Sequence, residues 1–216
     1  MIDAIESAEG AHAPVERERH CLIALAAVSR CRSLLLGILE LDKAGRGDLL
    51  GILNRAVLEV WYFGVIGLLG DEADLDRLEA DHRYWNNALA TQMQGVEPDA
   101  GASAKYSVFA RAKRADELLV AIGKTPGRPV EWYRQIYAAD SLTQAHAGFE
   151  SLAPYVYRDD DGSIGIEHDP YNSTSLRYGR ISISTMLTAM LAGWTWERVG
   201  LDGTVFDRIG HEVDKD

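Results

Sequence analysis

Leu49-Leu-Gly-Ile-Leu-Asn-Arg-Ala-Val-Leu-Glu-Val-Trp-Tyr-Phe-Gly-Val-Ile-Gly-Leu-Leu-Gly70 is the stretch from which the fold is read. Placed on a wheel at about 100° per residue, Leu49, Leu53, Ala56, Val60, Phe63 and Gly67 fall together on one sector. Leu50, Val57, Trp61 and Leu68 cover the next sector. Leu58, Val65 and Leu69 occupy the far side, where a surface helix would carry charge. A helix that is apolar nearly all round belongs in the middle of a bundle. Asn54, Arg55 and Glu59 interrupt its apolar run, and a second apolar stretch, Ile181 to Trp196, carries five hydroxyl side chains. Both therefore fall short of the roughly 20 apolar residues of a membrane span, and no membrane helix is expected.

Working outward, the neighbours of this segment also read as helices. A first runs from about Arg17 to Leu41, with Ala24, Val28, Cys31, Leu35 and Ile38 on one stripe. Lys43 to Asp48 breaks it, and Asp48 suits the N-cap of the central helix. Asp71 is the expected N-cap of a third helix reaching Met93, with Asp74 at the offset of a helix-start carboxylate. A fourth is expected over Ala104 to Ile122. Pro129 fits the first turn of a fifth, extending to Leu152. Residues 155–166 alternate around the acidic turn Asp159-Asp-Asp-Gly162 and read as a small β-hairpin. A long sixth helix over Ser175 to Arg198 and a short tail helix over Val205 to Val213 follow. The expectation is an all-α bundle of about six helices with one minor hairpin, with residues 1–15 flexible and 16–216 one helical domain.

Composition narrows the class. The 216 residues are 47% hydrophobic, ordinary for a globular chain. Cys21 and Cys31 stand too far apart along one helix to bridge, and read as reduced thiols of a cytoplasmic protein. The acidic N-terminus has no apolar run, so no signal peptide is expected. A net charge of −11 disfavours nucleic acid. The best basic cluster, Lys105, Arg111, Lys113 and Arg114, runs straight into Asp116 and Glu117. No Gly-rich phosphate loop, zinc spacing or nucleophile elbow occurs, and no cofactor is implied.

Candidate site residues begin with Arg55 and Glu59, four apart in an apolar sector shared with Ile52, Tyr62 and Ile66. Desolvating two charges costs several kcal/mol per ion, so they need partners across a helix interface or a wet cleft. Either they are a buried pair that fixes helix register, or they belong to a binding site. The order Arg before Glu is the weaker one for a surface pair, which points to outside partners. The fifth helix offers Tyr137 and Ser141 on one face, with His146 about 140° from Ser141. Arg55-x-x-x-Glu59 followed by Tyr137-x-x-x-Ser141 and His146 resembles a large family of uncharacterised bacterial helical proteins. In that family the histidine follows the serine by four residues; here His146 follows Ser141 by five. The resemblance spans about residues 45–165 and brings no established activity.

Three chemistries compete. A polar pocket of Arg55, Glu59, Tyr137 and Ser141 would hold a small anionic ligand in a binding or regulatory module, whose other kind of partner would be a protein, a second copy included. A metal-independent ribonuclease of the HEPN type needs an arginine with a histidine five to seven residues later, and Arg77-Leu-Glu-Ala-Asp-His82 has that spacing. His146 lacks such an arginine, since Arg134 is twelve residues back. A di-metal carboxylate bundle would draw on Glu79-x-x-His82, Glu59 and the pair His146 and Glu150, only one of the two motifs such sites need. The acidic turn is no calcium loop, because Tyr157 and His168 would fall at ligand positions one and twelve. No metal site is assigned.

Overall fold

The computed structural model describes residues 18–94, 106–124, 129–141, 155–166 and 173–200, together with Gly203 and Phe206. Six helices and one hairpin make up the described architecture. They are α1 (Glu18–Lys43), α2 (Gly47–Leu69), α3 (Glu72–Gln94), α4 (Val108–Ala121), α5 (residues 129–140) and α6 (Thr174–Arg198). The antiparallel hairpin pairs β1 (Val156–Arg158) with β2 (Ile164–Ile166) between α5 and α6. The N-terminus expected to be flexible, the expected continuation of the fifth helix beyond Ser141, His146, Glu150 and most of the expected tail helix lie outside the described residues.

Helix α2 is the central element, packed on α1, α4 and α6 and touching α3 and α5 as well. Its far-side residues Leu58 and Val65 are fully buried, as are Leu50, Val57 and Trp61. Close approach of its neighbours depends on two glycines. A Cβ on Gly64 would stand 2.6 Å from Leu191 and 2.8 Å from Ala27, and one on Gly67 would run into Ile23. These two positions let α1 and α6 lie against the α2 backbone. Trp61 sits among Tyr62, Trp132 and Trp194, so the aromatic core joins α2 to α5 and α6. By length and composition α1 over 19–43 and α2 over Gly47–Leu69 each suffice to cross a bilayer; 39% and 56% of their most apolar windows are buried within the bundle.

Local chemistry sets the helix ends. Asp71 and Asp74 exchange reciprocal bonds, each backbone N–H donating to the other's carboxylate at 3.0–3.1 Å, as expected at this start. Asp48 does not cap α2. The helix begins at Gly47 after Arg46, and Asp48 instead accepts two bonds at 3.1 Å from the Arg46 guanidinium. Helix α4 begins at Val108, later than the expected Ala104, because Ser107 caps it. The Tyr106 backbone N–H is spent on Asp81 at 2.7 Å, outside any helix. Pro129 opens α5, and its carbonyl accepts the buried Tyr62 hydroxyl at 3.0 Å. The hairpin turns at Gly162, whose φ of +85° is the left-handed conformation glycine adopts without strain.

Charged staples tie distant segments. Arg19 on α1 reaches Glu72, Asp76 and Glu79 on α3. Arg177 at the start of α6 grips Asp42 at the end of α1, at 2.6 Å. Two members of the basic cluster read from the sequence are neutralised: Arg111 pairs with Asp81 at 3.4 Å and Arg114 with Asp74 at 2.8 Å. Lys105 lies outside the described residues.

Candidate functional site

Arg55 and Glu59 meet as an ion pair, Arg55 Nε to Glu59 Oε1 at 3.2 Å, with side chains 26% and 32% exposed. The anticipated partner from the fifth helix is present. Tyr137 donates its hydroxyl to Glu59 Oε1 at 2.9 Å, and the Arg55 guanidinium lies 4.9 Å from the Tyr137 ring centre. Tyr133 stacks on the other aromatic partner, Tyr137, at 5.0 Å. Burial, then the neighbouring Glu59 carboxylate, pushes the Tyr137 hydroxyl up, so it remains a donor at neutral pH. Ser141 does not join this group: its buried Oγ makes no hydrogen bond among the described residues.

The backbone that presents Tyr137 departs from the expected α-helix. Residues Tyr133–Tyr137 form a π-helical turn in which the Ala138 N–H reaches Tyr133 O, between α-helical Pro129–Trp132 and Ala138–Asp140. One extra residue per turn rotates everything after it, and such turns concentrate at functional sites. Here the rotation leaves Tyr137 on Glu59 and turns Asp140 into the protein interior.

At Asp140 the structure holds a second polar group that the sequence did not single out. Asn54 Nδ2 donates to Asp140 Oδ2 at 2.9 Å, and Arg180 Nη2 donates to Asp140 Oδ1 at 2.9 Å. Ser184 completes the chain by donating to Asn54 Oδ1 at 2.8 Å. All four are buried, Asn54 and Ser184 completely. Three helices thus converge on one buried carboxylate. From the sequence alone Asn54 was only an interruption in an apolar run.

Two cavities flank α2. One, of about 490 Å³, lies between α1, α2 and α4, with Glu59, Arg30 and Arg111 among apolar walls that include Ile23, Val60 and Phe63. The other, of about 380 Å³, lies between α2, α5 and α6, with Asn54, Asp140 and Arg180 in its lining.

Among the described residues the remaining candidates are not brought together. Arg77 lies 4.0 Å above the buried Tyr106 ring, whereas His82 is exposed and shares a 3.0 Å contact with Asn86 on its own helix. Glu79 is held by Arg19. Among the described residues no three His, Cys, Asp or Glu side chains are grouped to hold a metal ion. No protein family, curated protein or solved structure matches the chain.

Proposed function

We propose that the chain is a bacterial, intracellular binding or regulatory module that holds a small anionic ligand with an apolar body, seated in the cavity beside Glu59. The observation that carries this reading is the part-exposed Glu59, held by Arg55 and Tyr137, at the wall of a cavity of about 490 Å³. That volume is within the range of small-molecule sites, about 300–1,000 Å³. Its walls suit an alkyl or aryl body, and Arg30 and Arg111 supply positive charge for a head group. Glu59 would repel an anion if it were bare. Arg55 and the Tyr137 hydroxyl offset its charge and Asp81 offsets that of Arg111, so Arg30 sets the local sign. The intracellular placement rests on the two buried cysteines, neither in a disulfide, and the acidic chain, and is tested by cell fractionation.

Decanoate and 2-naphthoate are suitable probes, with decanol and 2-naphthol as neutral controls. The carboxylates should raise the melting temperature of the wild type, and the alcohols should not. Ala26→Trp, which fills the cavity from the exposed face of α1, should abolish the rise. Equal shifts with the alcohols, or an undiminished shift in Ala26→Trp, would refute the reading.

A further inference from the structure

The cavity beside Glu59 has a polar end and an apolar end, and its polar end asks more of a ligand than a negative charge. The two helices that line most of it run antiparallel. Cys31 Sγ lies 4.0 Å from Val57 O, and added Cβ atoms on Gly64 and Gly67 would meet Ala27 and Ile23. Arg30 therefore stands level with Glu59 and Val60, while Leu22 and Ile23 lie two helical turns further along α1, about 10 Å away. Resting on the function proposed above, we infer that the ligand is an apolar 2-hydroxy acid. Its single carboxylate faces Arg30, and the hydroxyl on the adjacent carbon donates to Glu59 Oε2.

Charge selects the acid. Arg55 offsets Glu59, and Asp81 offsets Arg111. Arg30 is exposed and lines the cavity, and among the described residues it forms no ion pair. One uncompensated guanidinium matches one carboxylate, which its planar fork can hold by two hydrogen bonds.

Hydrogen-bond capacity selects the hydroxyl. Tyr137 donates to Glu59 Oε1, and Arg55 Nε approaches the same oxygen. Among the described residues Oε2 receives no hydrogen bond, so it is the acceptor that Glu59 keeps for water or a ligand. The Glu59 side chain is 32% exposed and lines the cavity, so a ligand can reach it. A plain carboxylate seated here would displace water from Oε2 and return no donor, a net loss. It would also set its own negative charge beside Glu59. A hydroxyl next to the acid supplies the missing donor and stands between the two carboxylates. Donor and acid must be neighbours on the ligand, because Arg30 and Glu59 share one end of the cavity. The apolar remainder extends past Ala26 and Phe63 toward Leu22.

Three acids with one chain length test this: decanoate, 2-hydroxydecanoate and 2-methoxydecanoate, titrated calorimetrically into the full chain. 2-Hydroxydecanoate should bind about tenfold more tightly than either of the others, the effect of one hydrogen bond to a part-exposed charge. The methyl ether keeps the oxygen but cannot donate. In Glu59→Gln the amide oxygen stays with Tyr137 and an NH₂ group replaces Oε2, so 2-hydroxydecanoate should lose its advantage and bind like the ether. Arg30→Gln should weaken all three about tenfold and leave their order unchanged. Decanoate binding with no preference for the hydroxy acid would overturn the hydroxy-acid inference alone. So would a preference that the methyl ether shares, one that persists in Glu59→Gln, or undiminished binding in Arg30→Gln. No binding by any of the three acids would overturn the proposed function along with it.

Discussion

At the scale of single residues, two ion pairs, one along α2 and one between α5 and α6, differ sharply in what they sustain. Asp140 and Arg180 have side chains 7% and 10% exposed, and Asp140 also carries Asn54. Asp140→Ala removes the carboxylate that the buried Arg180 and Asn54 both donate to, a loss of about 3–5 kcal/mol. Arg55 and Glu59 keep about a quarter to a third of their surface in water, so Glu59→Gln should cost about 1 kcal/mol or less. Equilibrium urea denaturation of both variants checks the contrast; equal losses would contradict it. Ser141→Ala should be neutral or slightly stabilising in the same measurement, because its buried Oγ has no partner to lose. Asp74 gives a pH dependence. Burial pushes its carboxyl up, but the Arg114 hydrogen bonds, the Asp71 backbone N–H and the charges of Arg114 and Arg77 outweigh this and hold it below the usual carboxylate value. A depressed folded pKa stabilises fully above the unfolded value, about 3.9, and the contribution disappears as pH falls through the folded value. Asp74→Asn should therefore be less stable than wild type at pH 7, with the gap narrowing below about pH 4.

At the scale of elements, the two aspartates read as N-caps separate into one that caps and one that does not. Asp71 and Asp74 satisfy each other's backbone N–H groups, so Asp71→Ala should cost about 1 kcal/mol. Asp48 only meets the exposed Arg46 side chain, and Asp48→Ala should stay within about 0.5 kcal/mol. Chemical denaturation of the two variants side by side distinguishes them. Both sites show the same local sequence signal, an acidic residue just after a glycine break and before a helical pattern. The difference is that the chain leaves α1 through Gly45, at φ +70°, and enters α2 two residues earlier than an Asp48 cap requires. Helix α5 teaches the same lesson. Its apolar spacing was legible as helical, and of the two hydroxyls it offered to the Arg55–Glu59 pair, the structure joins Tyr137 to Glu59 and leaves Ser141 out. The π turn was not legible, because one extra residue per turn leaves no mark on composition or pattern.

At the scale of the whole molecule, burial of both cysteines predicts a reactivity pattern. Burial pushes the Cys31 thiol up to about 12, and Cys21 is 2% exposed. Neither should react with an aromatic disulfide reagent at pH 8 until the bundle unfolds, when both should react. A thiol that titrates rapidly in the native protein would show that α1 detaches from the core. Circular dichroism should give a helical spectrum with a trace of strand, since the described strands are three residues each.

The sequence by itself determined the helical class, the number of main helices, the hairpin and the central position of Leu49–Leu69. Each follows from periodicity, turn residues or an all-round apolar surface, which are properties of neighbours along the chain. It also determined that Arg55 and Glu59 needed an outside partner, because charge in an apolar stripe is expensive. Only the tertiary structure decided that Asn54, Asp140, Arg180 and Ser184 form one buried group. Asp140 and Arg180 look like ordinary helix-surface residues in the sequence, and Asn54 looks like a flaw in an apolar run. Their juxtaposition depends on the rotation of α5 after its π turn and on the close approach that Gly64 gives to α6. Neither is encoded in any single segment, since both arise where three helices from distant parts of the chain are packed at once.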